Sequence, residues 1–443
     1  MPLYSTQSLL RSVSLEQLTK RAGCLRVLVS IALLALVIVC GCEESPVGLI
    51  IPEFRNGGSL ATTTALTNEQ LSRLDGIWYV EKGRAKLGDS VVIKVSGDRL
   101  TVYARPNAFY MQLESGYVDS AVLFEGFWRE QVNSNTGLVR CSIPRTSAGD
   151  YIVTGKPLSG DLKLEGSFGQ GTNNNSDDIV LHWVRPFSER ALKPFAIIAH
   201  RAGGRTSDRI PHSENTVELI RTAERYGSNG IEIDVRLSAD GVPFLYHDTQ
   251  LNPRLVQKGA LVGPPENYPI RALQSLVTLI NGETIPTLAQ ALDVIVNETN
   301  LQFVYLDTKT ENSGLISKMI PLQAAAMKAA QQKPGRKSLL IVVGIPTDAT
   351  YDELLSIPSH SDIPTIIEPS YEQALAANAL VWSPRWTLGT QLDRVHEAQA
   401  NGMGVVTWTL DDDAFIRQYL ANGNFNGFLT NYPTLVTWHV YMQ

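Results

Sequence analysis

The stretch GIEIDVRLSADGVPFLYHD, residues 230–248, decides the fold and holds the first sign of chemistry. Its first half has the composition of a strand, in which residues at i and i+2 point to the same face. Glu232 and Asp234 therefore project together, and a pair formed by His247 and Asp248 begins 13 residues later. Two carboxylates on one face repel each other unless a cation lies between them. This stretch therefore predicts a bound metal ion or another cation.

The segments on either side alternate between strand-like and helix-like patterns. From residue 194 onward, apolar runs such as FAIIAH, FVYLDTK and LLIVVGI alternate with helical patterns such as ENTVELIRTAERYG. Such alternation over about 250 residues is the size and signature of a (β/α)8 barrel. A doubly wound open sheet is the alternative, but HRAGGRTSD does not have the GxGxxG form of its phosphate-binding turn. We therefore predict an α/β protein with a TIM barrel over residues 194–443.

Residues 71–187 have a different pattern, in which short runs of alternating apolar and polar residues are broken by Gly, Asn, Asp and Ser. Runs such as SVVIKVSG, RLTVYA and DYIVTG predict strands, and their spacing predicts a smaller all-β domain, an antiparallel sandwich or small barrel. The sequence of this segment contains no set of residues typical of a catalytic site. Trp78, Trp128 and Trp183 fit either a ligand surface or a buried core, and the buried core is the commoner arrangement.

The N-terminal segment is typical of a targeting sequence. Basic residues precede the apolar run VLVSIALLALVIVCG, which is too short and ends too abruptly for a good membrane span. The sequence VCGC resembles a bacterial lipobox, in which Cys42 is lipidated and becomes the mature N-terminus. We therefore predict a lipoprotein signal peptide over 1–41, a tether over 42–70, and an extracytoplasmic, membrane-anchored location on the periplasmic or cell-surface side. An uncleaved anchor helix is the alternative.

Chain length, charge and cysteine content limit the number of structural units, the class of ligand and the kinds of covalent or metal site. A chain of 443 residues predicts two or three structural units, and a net charge of −6 argues against nucleic-acid binding. Cys24 and Cys40 lie in the predicted signal peptide and Cys42 in the lipidation site. Because Cys141 is then left alone, we expect no intrachain disulfide and no cysteine-based metal site. No feature of the sequence predicts an oligomeric state.

Ionisable residues recur where the predicted barrel strands end. TIM barrels carry their active sites at the C-terminal ends of the strands. Four predicted strands place charged or titratable groups at that end. Chance alone does not account for such a coincidence at four strands. The groups are His200 with Arg201, Glu232 with Asp234, His247 with Asp248, and Asp307 with Lys309.

These motifs carry a family resemblance. The series AHRAGG, ENT, EIDVRLSADGVPFLYHD, IPTL, LDTK and TNYP, over about residues 195–435, is similar to the glycerophosphodiester phosphodiesterase family. The resemblance implies a (β/α)8 barrel that uses a divalent metal to hydrolyse glycerophosphodiesters to glycerol 3-phosphate and an alcohol. It also implies roles for seven residues. They are metal ligands Glu232, Asp234 and Asp307, general acid/base residues His200 and His247, and phosphate-binding residues Arg201 and Lys309.

The chemistry of these residue types agrees with those roles. Carboxylate oxygens suit Mg²⁺ or Ca²⁺, and also Mn²⁺, better than zinc. A metal held by three carboxylates neutralises charge on phosphoryl oxygens and orients a nucleophile. One imidazole can accept a proton from the nucleophile while a second donates one to the leaving alkoxide.

The sequence departs from the family pattern in a few places. An alanine, Ala202, precedes the glycines of HRAGG, Asp307 stands where glutamate is usual, and Asn431 replaces an aspartate in TNYP. In the ENT element we expect Asn215 to cap the following helix rather than to serve the site. Trp408, which ends a late strand, fits the pocket lining and the filling of the barrel mouth equally well.

Two alternative functions remain open on the sequence. A related barrel phospholipase acting on intact or lyso-phospholipids would use the same pair of histidines. A binding protein or pseudoenzyme, in which the β domain does the main work, would have no need to keep both His200 and His247. Of the three, glycerophosphodiester hydrolysis accounts for most of the motif residues.

Overall fold

The structure is a computed structural model that describes residues 49–443, apart from residues 159, 174 and 312. The predicted signal peptide, the lipidation site at Cys42 and the start of the tether lie outside the described residues. Within the part of the chain that is described, no helix has the length and apolar character needed to cross a bilayer.

The first sheet is a closed antiparallel barrel. Strands β2 to β9 pair in chain order, and β2 also pairs with β9, which closes eight strands into an up-and-down barrel. Strand β1 adds to β5. Of the two predicted all-β arrangements, the barrel is the one that forms. The strands are β1 Thr64–Ala65, β2 Gly76–Lys82, β3 Ser90–Ser96, β4 Arg99–Ala104, β5 Phe109–Tyr117, β6 Ala121–Glu130, β7 Thr136–Pro144, β8 Lys163–Phe168 and β9 Asp177–Arg185.

Three short helices accompany this barrel: α1 Asn68–Leu71, α2 Arg84–Leu87 and α3 Asp150–Thr154. The prediction of a strand at DYIVTG was wrong, since these residues form α3. The helix ends at Gly155, whose φ of 75° is the left-handed conformation that glycine adopts without cost. The alternating pattern is too short there to distinguish a strand from a single helical turn.

Large aromatic side chains fill the antiparallel barrel. Trp78 and Trp128 are buried, and the Trp128 ring stacks on Phe109 with centroids 5.4 Å apart. The indole N–H of Trp78 donates to the carbonyl oxygen of Leu74. These two tryptophans therefore belong to the core, as the commoner arrangement suggested, whereas Trp183 is half-buried.

The second sheet confirms the predicted TIM barrel. Eight parallel strands, β10, β11 and β15 to β20, close through the pairing of β10 with both β11 and β20. Strand β12 pairs antiparallel with β11, and β13 with β14 forms a separate hairpin. The strands are β10 Ala196–Ala199, β11 Gly230–Leu237, β12 Pro243–Leu245, β13 Val256–Gly259, β14 Val277–Leu279, β15 Phe303–Thr308, β16 Leu340–Ile345, β17 Thr365–Ile367, β18 Val381–Trp382, β19 Gly404–Thr407 and β20 Gly427–Thr430.

Helices follow most of these strands. They are α4 Val217–Thr222, α5 Ile270–Leu276, α6 Leu288–Glu298, α7 Leu315–Gln331, α8 Asp348–Leu355, α9 Tyr371–Ala376, α10 Leu392–Ala400, α11 Asp413–Asn422 and α12 Pro433–Met442.

The segment VPFLYHD is not a barrel strand of its own, contrary to the prediction. It forms β12, which turns back along β11, and the Tyr246 N–H donates to the carbonyl oxygen of Asp234 at 3.1 Å. Only residues 238–242 connect the two strands, whereas a parallel crossover needs a dozen residues or more. His247 therefore reaches the barrel mouth from a hairpin beside β11, so three barrel strands rather than four carry the predicted groups.

Both sheets belong to one compact unit that spans residues 48–443. The carbonyl oxygen of Arg225, after α4, accepts hydrogen bonds from Thr101 and Tyr103 of the antiparallel barrel. The Trp438 indole of α12 donates to the carbonyl oxygen of Ser90 at 3.2 Å. The antiparallel barrel thus packs on the TIM barrel through direct hydrogen bonds, and the predicted domain boundaries remain a prediction.

Candidate active site

Strand geometry brings the three predicted acidic residues together. Asp234 on β11 lies directly beside Asp307 on the neighbouring strand β15, and Glu232 precedes Asp234 by two residues on the same face. One carboxylate oxygen from each of Glu232, Asp234 and Asp307 lies within 4.8 Å of the other two. The alternation within each strand and the parallel register between them are enough to form this cluster.

The three carboxylates are buried and share one ammonium group. Lys309 lies 3.0 Å from Asp234 through Nζ and Oδ1, and it also pairs with Asp307. Burial, reinforced by the charge of Asp234, raises the pKa of Glu232 well above its ordinary value. Burial opposes ionisation of Asp234 as well, but Lys309 and the other nearby cations hold the pKa of Asp234 below its ordinary value. One lysine therefore does not balance all three acids.

The carboxylate oxygens of this cluster that accept no hydrogen bond are suited to bind a divalent cation. In the described part of the chain, Glu232 Oε1 and Asp307 Oδ1 are buried and accept no hydrogen bond. A buried carboxylate oxygen without a donor is costly, and a metal ion removes that cost. Because every ligand in the cluster is an oxygen, the donor set suits a hard cation.

His200 lies beside this cluster, and the ring nitrogen that points away from the cluster makes a hydrogen bond. The ring follows β10, its Nε2 is 3.7 Å from Glu232 Oε2, and its Nδ1 is 2.7 Å from Asn431 Oδ1. The Asn431 amide nitrogen donates to Asp411 Oδ2 at 2.6 Å, so its oxygen is the atom turned toward His200. The Nδ1 atom of His200 therefore carries the proton, and Nε2 has a free lone pair directed into the site.

Burial and the charge of Arg201 lower the pKa of His200 to about 4. The ring is therefore neutral near pH 7, the state a general base requires. The Asp411–Asn431 pair also accounts for the asparagine in TNYP. A carboxylate is still present on the Nδ1 side of His200. It belongs to Asp411, and Asn431 lies between it and the imidazole ring.

Arg201 is bound on several sides. Its backbone N–H donates to Glu232 Oε2 at 2.8 Å, and its Nη1 donates to Glu214 Oε1 at 2.7 Å. Its Nε lies 3.8 Å from Asp234 Oδ2 without forming a hydrogen bond. Arg201 thus reaches the cluster, but part of its guanidinium is committed to Glu214.

The expectation that Asn215 caps a helix was wrong. Thr216 is the N-cap of α4, and its side chain accepts a hydrogen bond from the Leu219 N–H at 3.3 Å. Asn215 adopts a φ of 61°, a conformation that asparagine tolerates better than most residues, and turns toward β11. Its amide donates to Asp234 Oδ2 at 2.6 Å and accepts from the Asp234 N–H at 2.9 Å. Asn215 therefore holds a predicted metal ligand in place.

His247 is held by a chain of charged groups, in which the sequence pointed to Asp248 but not to Arg254. Its Nδ1 lies 2.7 Å from Asp248 Oδ1, and Asp248 in turn accepts hydrogen bonds from the guanidinium of Arg254. The same guanidinium donates twice to the buried carboxylate of Glu214. Arg254 follows β12 in an irregular loop, where no periodicity marks the residue as part of the site.

The opposite side of the mouth carries further polar groups. Glu368 follows β17 and accepts a hydrogen bond from the Tyr305 hydroxyl at 2.5 Å. Trp408 follows β19, is half-buried, and donates from Nε1 to the Ser383 carbonyl oxygen at 3.0 Å. Trp408 also packs against the apolar side chains inside the barrel, so the indole covers the core at this end. An acid directly after the apolar run TII was the available sequence signal for Glu368.

The fold and this site define a class: a TIM-barrel protein with an acidic centre fit for a cation, flanked by two histidines. Residues 200–319 match the family model described as the Glycerophosphoryl diester phosphodiesterase family. The resemblance predicted from the motifs is therefore confirmed over that segment.

Curated relatives are similar to about a quarter of the chain. "Glycerophosphodiester phosphodiesterase 1" of Bos taurus is 31% identical over 133 residues, covering 27% of this chain and 36% of the relative. The Homo sapiens protein of the same name is 30% identical over 133 residues, with the same coverage. An uncharacterized protein of Mycobacterium tuberculosis is 34% identical over 127 residues, covering 26% and 38%. The chain thus spans little more than a third of the length of the curated relatives it matches.

Solved structures of similar chains include an Oleispira antarctica phosphodiesterase in complex with the product sn-glycerol-3-phosphate. That structure has a TM-score of 0.44 and 23% identity, and the match covers 56% of this chain and 98% of the other. A glycerophosphodiester phosphodiesterase from Parabacteroides distasonis has a TM-score of 0.42 and 19% identity, with coverage of 56% and 98%.

Proposed function

We propose that this protein is a metal-dependent phosphodiesterase that hydrolyses glycerophosphodiesters to glycerol 3-phosphate and an alcohol. The observation that carries the proposal is the buried cluster of Glu232, Asp234 and Asp307, with orphan carboxylate oxygens and the neutral ring of His200 beside it. The family match over residues 200–319 supports the same reaction class.

The three acids would hold Mg²⁺ or Ca²⁺, with Mn²⁺ also suited to the oxygen ligands. When bound, such an ion neutralises charge on phosphoryl oxygens. Arg201 and Lys309 lie against the same cluster, and they are the cations we assign to contact with the phosphate group. An arginine offers a planar fork of donors, whereas a lysine offers a compact charge.

Two histidines would divide the proton transfers. His200 has its proton on Nδ1, so its Nε2 is free to accept the proton of the attacking nucleophile. The Nδ1 atom of His247 is hydrogen-bonded to Asp248, which orients the ring, and we assign to its Nε2, in the imidazolium form, the donation of a proton to the leaving alkoxide. The two rings reach the mouth from different elements, so they can serve opposite sides of an in-line displacement.

We also propose that the mature protein is a lipoprotein held at a membrane through Cys42, with the barrel outside the cytoplasm. The support is the lipobox-like sequence VCGC after a short apolar run. A glycerophosphodiesterase there would act on small, water-soluble diesters near a lipid surface.

The test uses the purified protein with a panel of glycerophosphodiesters and intact lipids, stripped with chelator and resupplied with each divalent ion. We expect ion-dependent release of glycerol 3-phosphate by the wild type, and strong loss in Glu232→Gln. Glu189→Gln, at an exposed acid away from the cluster, is the matched control. Turnover of intact or lyso-phospholipids in preference to glycerophosphodiesters would favour the phospholipase alternative, and no turnover of any substrate would refute both.

A further inference from the structure

Two side chains of the antiparallel barrel, Arg129 and Gln131, contact segments of the TIM barrel that lead to the proposed catalytic groups. Arg129 of β6 donates from Nη2 to the Asp208 carbonyl oxygen at 2.5 Å, in the loop between β10 and α4. Gln131, just after β6, accepts a hydrogen bond through Oε1 from the Thr434 hydroxyl at 2.5 Å, in the first turn of α12. Both side chains are buried. Because the two contacted segments follow β10 and β20, β6 meets the TIM barrel near the end where the candidate site lies.

The Asp208 carbonyl belongs to a loop whose hydrogen bonds lead directly to the site. Two residues before it, the Thr206 N–H donates to Glu214 Oε2 at 2.7 Å, and the Thr206 hydroxyl accepts from the Glu214 N–H at 3.1 Å. Glu214 then accepts hydrogen bonds from the guanidinium groups of Arg201 and Arg254. A hydrogen bond at Asp208 therefore restrains the loop that holds the carboxylate to which both arginines are bound.

The segment that begins α12 leads to His200 in a similar way. Asn431 lies three residues before Thr434, and its side-chain oxygen is 2.7 Å from Nδ1 of His200. Between them, the Tyr432 hydroxyl donates to Asp208 Oδ1 at 3.4 Å, which joins this segment to the loop after β10. The two contacts from β6 therefore act on connected segments that hold groups of the site.

The burial of Arg129 is not explained by stability alone. Its side chain has no exposed surface, and its Nε and Nη1 atoms have no hydrogen-bond partner among the described residues. Within the same residues no carboxylate forms an ion pair with the guanidinium, and burial lowers the pKa of Arg129. Replacing a buried charge by an apolar side chain of similar volume is often neutral or stabilising. An arginine at this position therefore calls for a reason other than stability.

Resting on the proposed function, we infer that Arg129 and Gln131 are positioning residues, through which the antiparallel barrel holds the loop after β10 and the start of α12 in the geometry that turnover requires. A displacement of about 1 Å at a catalytic group can lower the rate by about 10²-fold. The antiparallel barrel then contributes to turnover through these two contacts, although the acidic cluster and both histidines belong to the TIM barrel.

The test measures steady-state kinetics, thermal stability and backbone hydrogen exchange for Arg129→Met. We expect kcat to fall about 10- to 100-fold with little change in KM, while Tm stays the same or rises. Exchange of residues 203–215 should become about 10-fold faster, the effect of losing one hydrogen bond from a charged group. Arg129→Lys keeps the charge and a donor for the Asp208 carbonyl oxygen, so it should restore part of kcat.

Thr101→Val is the matched control, because the Thr101 hydroxyl also donates across the contact between the two barrels. Its acceptor is the Arg225 carbonyl oxygen at 3.2 Å, and Arg225 precedes β11, so this hydrogen bond lies away from the mouth. The variant should leave kcat and the exchange of residues 203–215 unchanged.

Three results would overturn the inference. They are a folded Arg129→Met with wild-type kcat, unchanged exchange of residues 203–215, or exchange that is faster throughout the protein rather than in that loop. If Arg129→Met does not fold, Gln131→Met decides, since it leaves the guanidinium in place: a lower kcat at the same Tm supports the inference, and a wild-type kcat refutes it. If no diester is hydrolysed, the proposed function fails separately. Hydrogen exchange requires no substrate, so faster exchange confined to residues 203–215 in Arg129→Met would still support the restraint by β6, and unchanged exchange would refute it.

Discussion

Arg254 and Glu214 form a doubly hydrogen-bonded ion pair, with Nη1 to Oε2 at 2.9 Å and Nη2 to Oε1 at 3.0 Å. The same guanidinium bonds Asp248, which holds His247, while Glu214 also holds Arg201. The two histidine-bearing sides of the site are therefore connected through Arg254, whose guanidinium bonds Asp248 and Glu214 and, within the described residues, none of the three acids of the cluster.

Arg254 should act as a positioning residue. We predict that Arg254→Ala lowers kcat about 10²-fold, since small displacements of catalytic groups have effects of that size, with little change in KM. Arg254→Lys should restore only part of the rate, because lysine keeps the charge but cannot form paired hydrogen bonds to two carboxylates. Steady-state kinetics with the glycerophosphodiester that the wild type turns over best checks this.

A purely structural role for Arg254 would give a different pattern. Both variants would lose thermal stability and the remaining folded enzyme would have normal kcat. Arg271→Ala, at an exposed arginine on α5, provides the matched control for loss of a charge.

The two histidines should each be required for turnover. We predict that His200→Ala and His247→Ala lower kcat by about 10²- to 10⁴-fold, the usual contribution of a general acid or base. His396→Ala, on the exposed face of α10, should have no effect. Folded variants with near wild-type rates would disprove the acid/base assignment.

The hydrogen bonds between Asp411 and Asn431 predict that the effect on stability of substituting one residue depends on the other. Asp411 accepts from the Asn431 backbone and side-chain nitrogens at 2.8 and 2.6 Å. Asn431→Asp, which introduces the residue usual in the family motif, should place two carboxylates in contact and cost about 1–3 kcal/mol of stability. Adding Asp411→Asn should recover that loss, because the hydrogen bond then forms with donor and acceptor exchanged. Chemical denaturation of Asn431→Asp, of Asp411→Asn and of the double variant measures the coupling, and additive effects would contradict it.

The parts of the fold and site that depend on local periodicity could be predicted from the sequence. Alternation within β11 placed Glu232 and Asp234 on one face, and apolar runs spaced by helices indicated the closed barrel. The antiparallel turn into β12 was missed because motif order does not reveal strand direction, although the five-residue connection before Pro243 was too short for a crossover.

Residues that act through long-range contacts were harder to predict. Asn215 was misjudged because asparagine is a good helix cap, yet Thr216 took that position and left Asn215 free to bond Asp234. Arg254 lies in an irregular loop, and its partners are 6 and 40 residues away in the chain. Such pairings depend on tertiary packing rather than on any repeat in the sequence.

Lipidation at Cys42 can be tested in cells. We predict that Cys42→Ser abolishes lipid attachment and releases the protein from the membrane fraction after detergent-free lysis. Cys141→Ser, at a buried cysteine of the antiparallel barrel, is the control and should not change the fractionation. A processed Cys42→Ser protein that stays tightly membrane-bound would contradict the proposed anchor.

The last prediction concerns the charge balance of the acidic cluster. Metal binding to the native state alone stabilises it by about 2.7 kcal/mol at a hundredfold excess over Kd. Adding Mg²⁺, Ca²⁺ or Mn²⁺ to a chelator-stripped sample should therefore raise Tm and restore activity. Glu232→Gln should weaken both effects, because it keeps the shape of the side chain but removes a charge.

The alternative is that Lys309 alone neutralises the cluster, since its Nζ already lies against Asp234 and Asp307. In that case the stripped protein would be fully active in excess chelator, and its Tm would be the same with each of the three ions. The orphan oxygens of Glu232 and Asp307 argue for the metal. Repulsion among unbalanced carboxylates should then make Glu232→Gln at least as stable as the wild type in chelator, and less stable than the wild type once the metal is added.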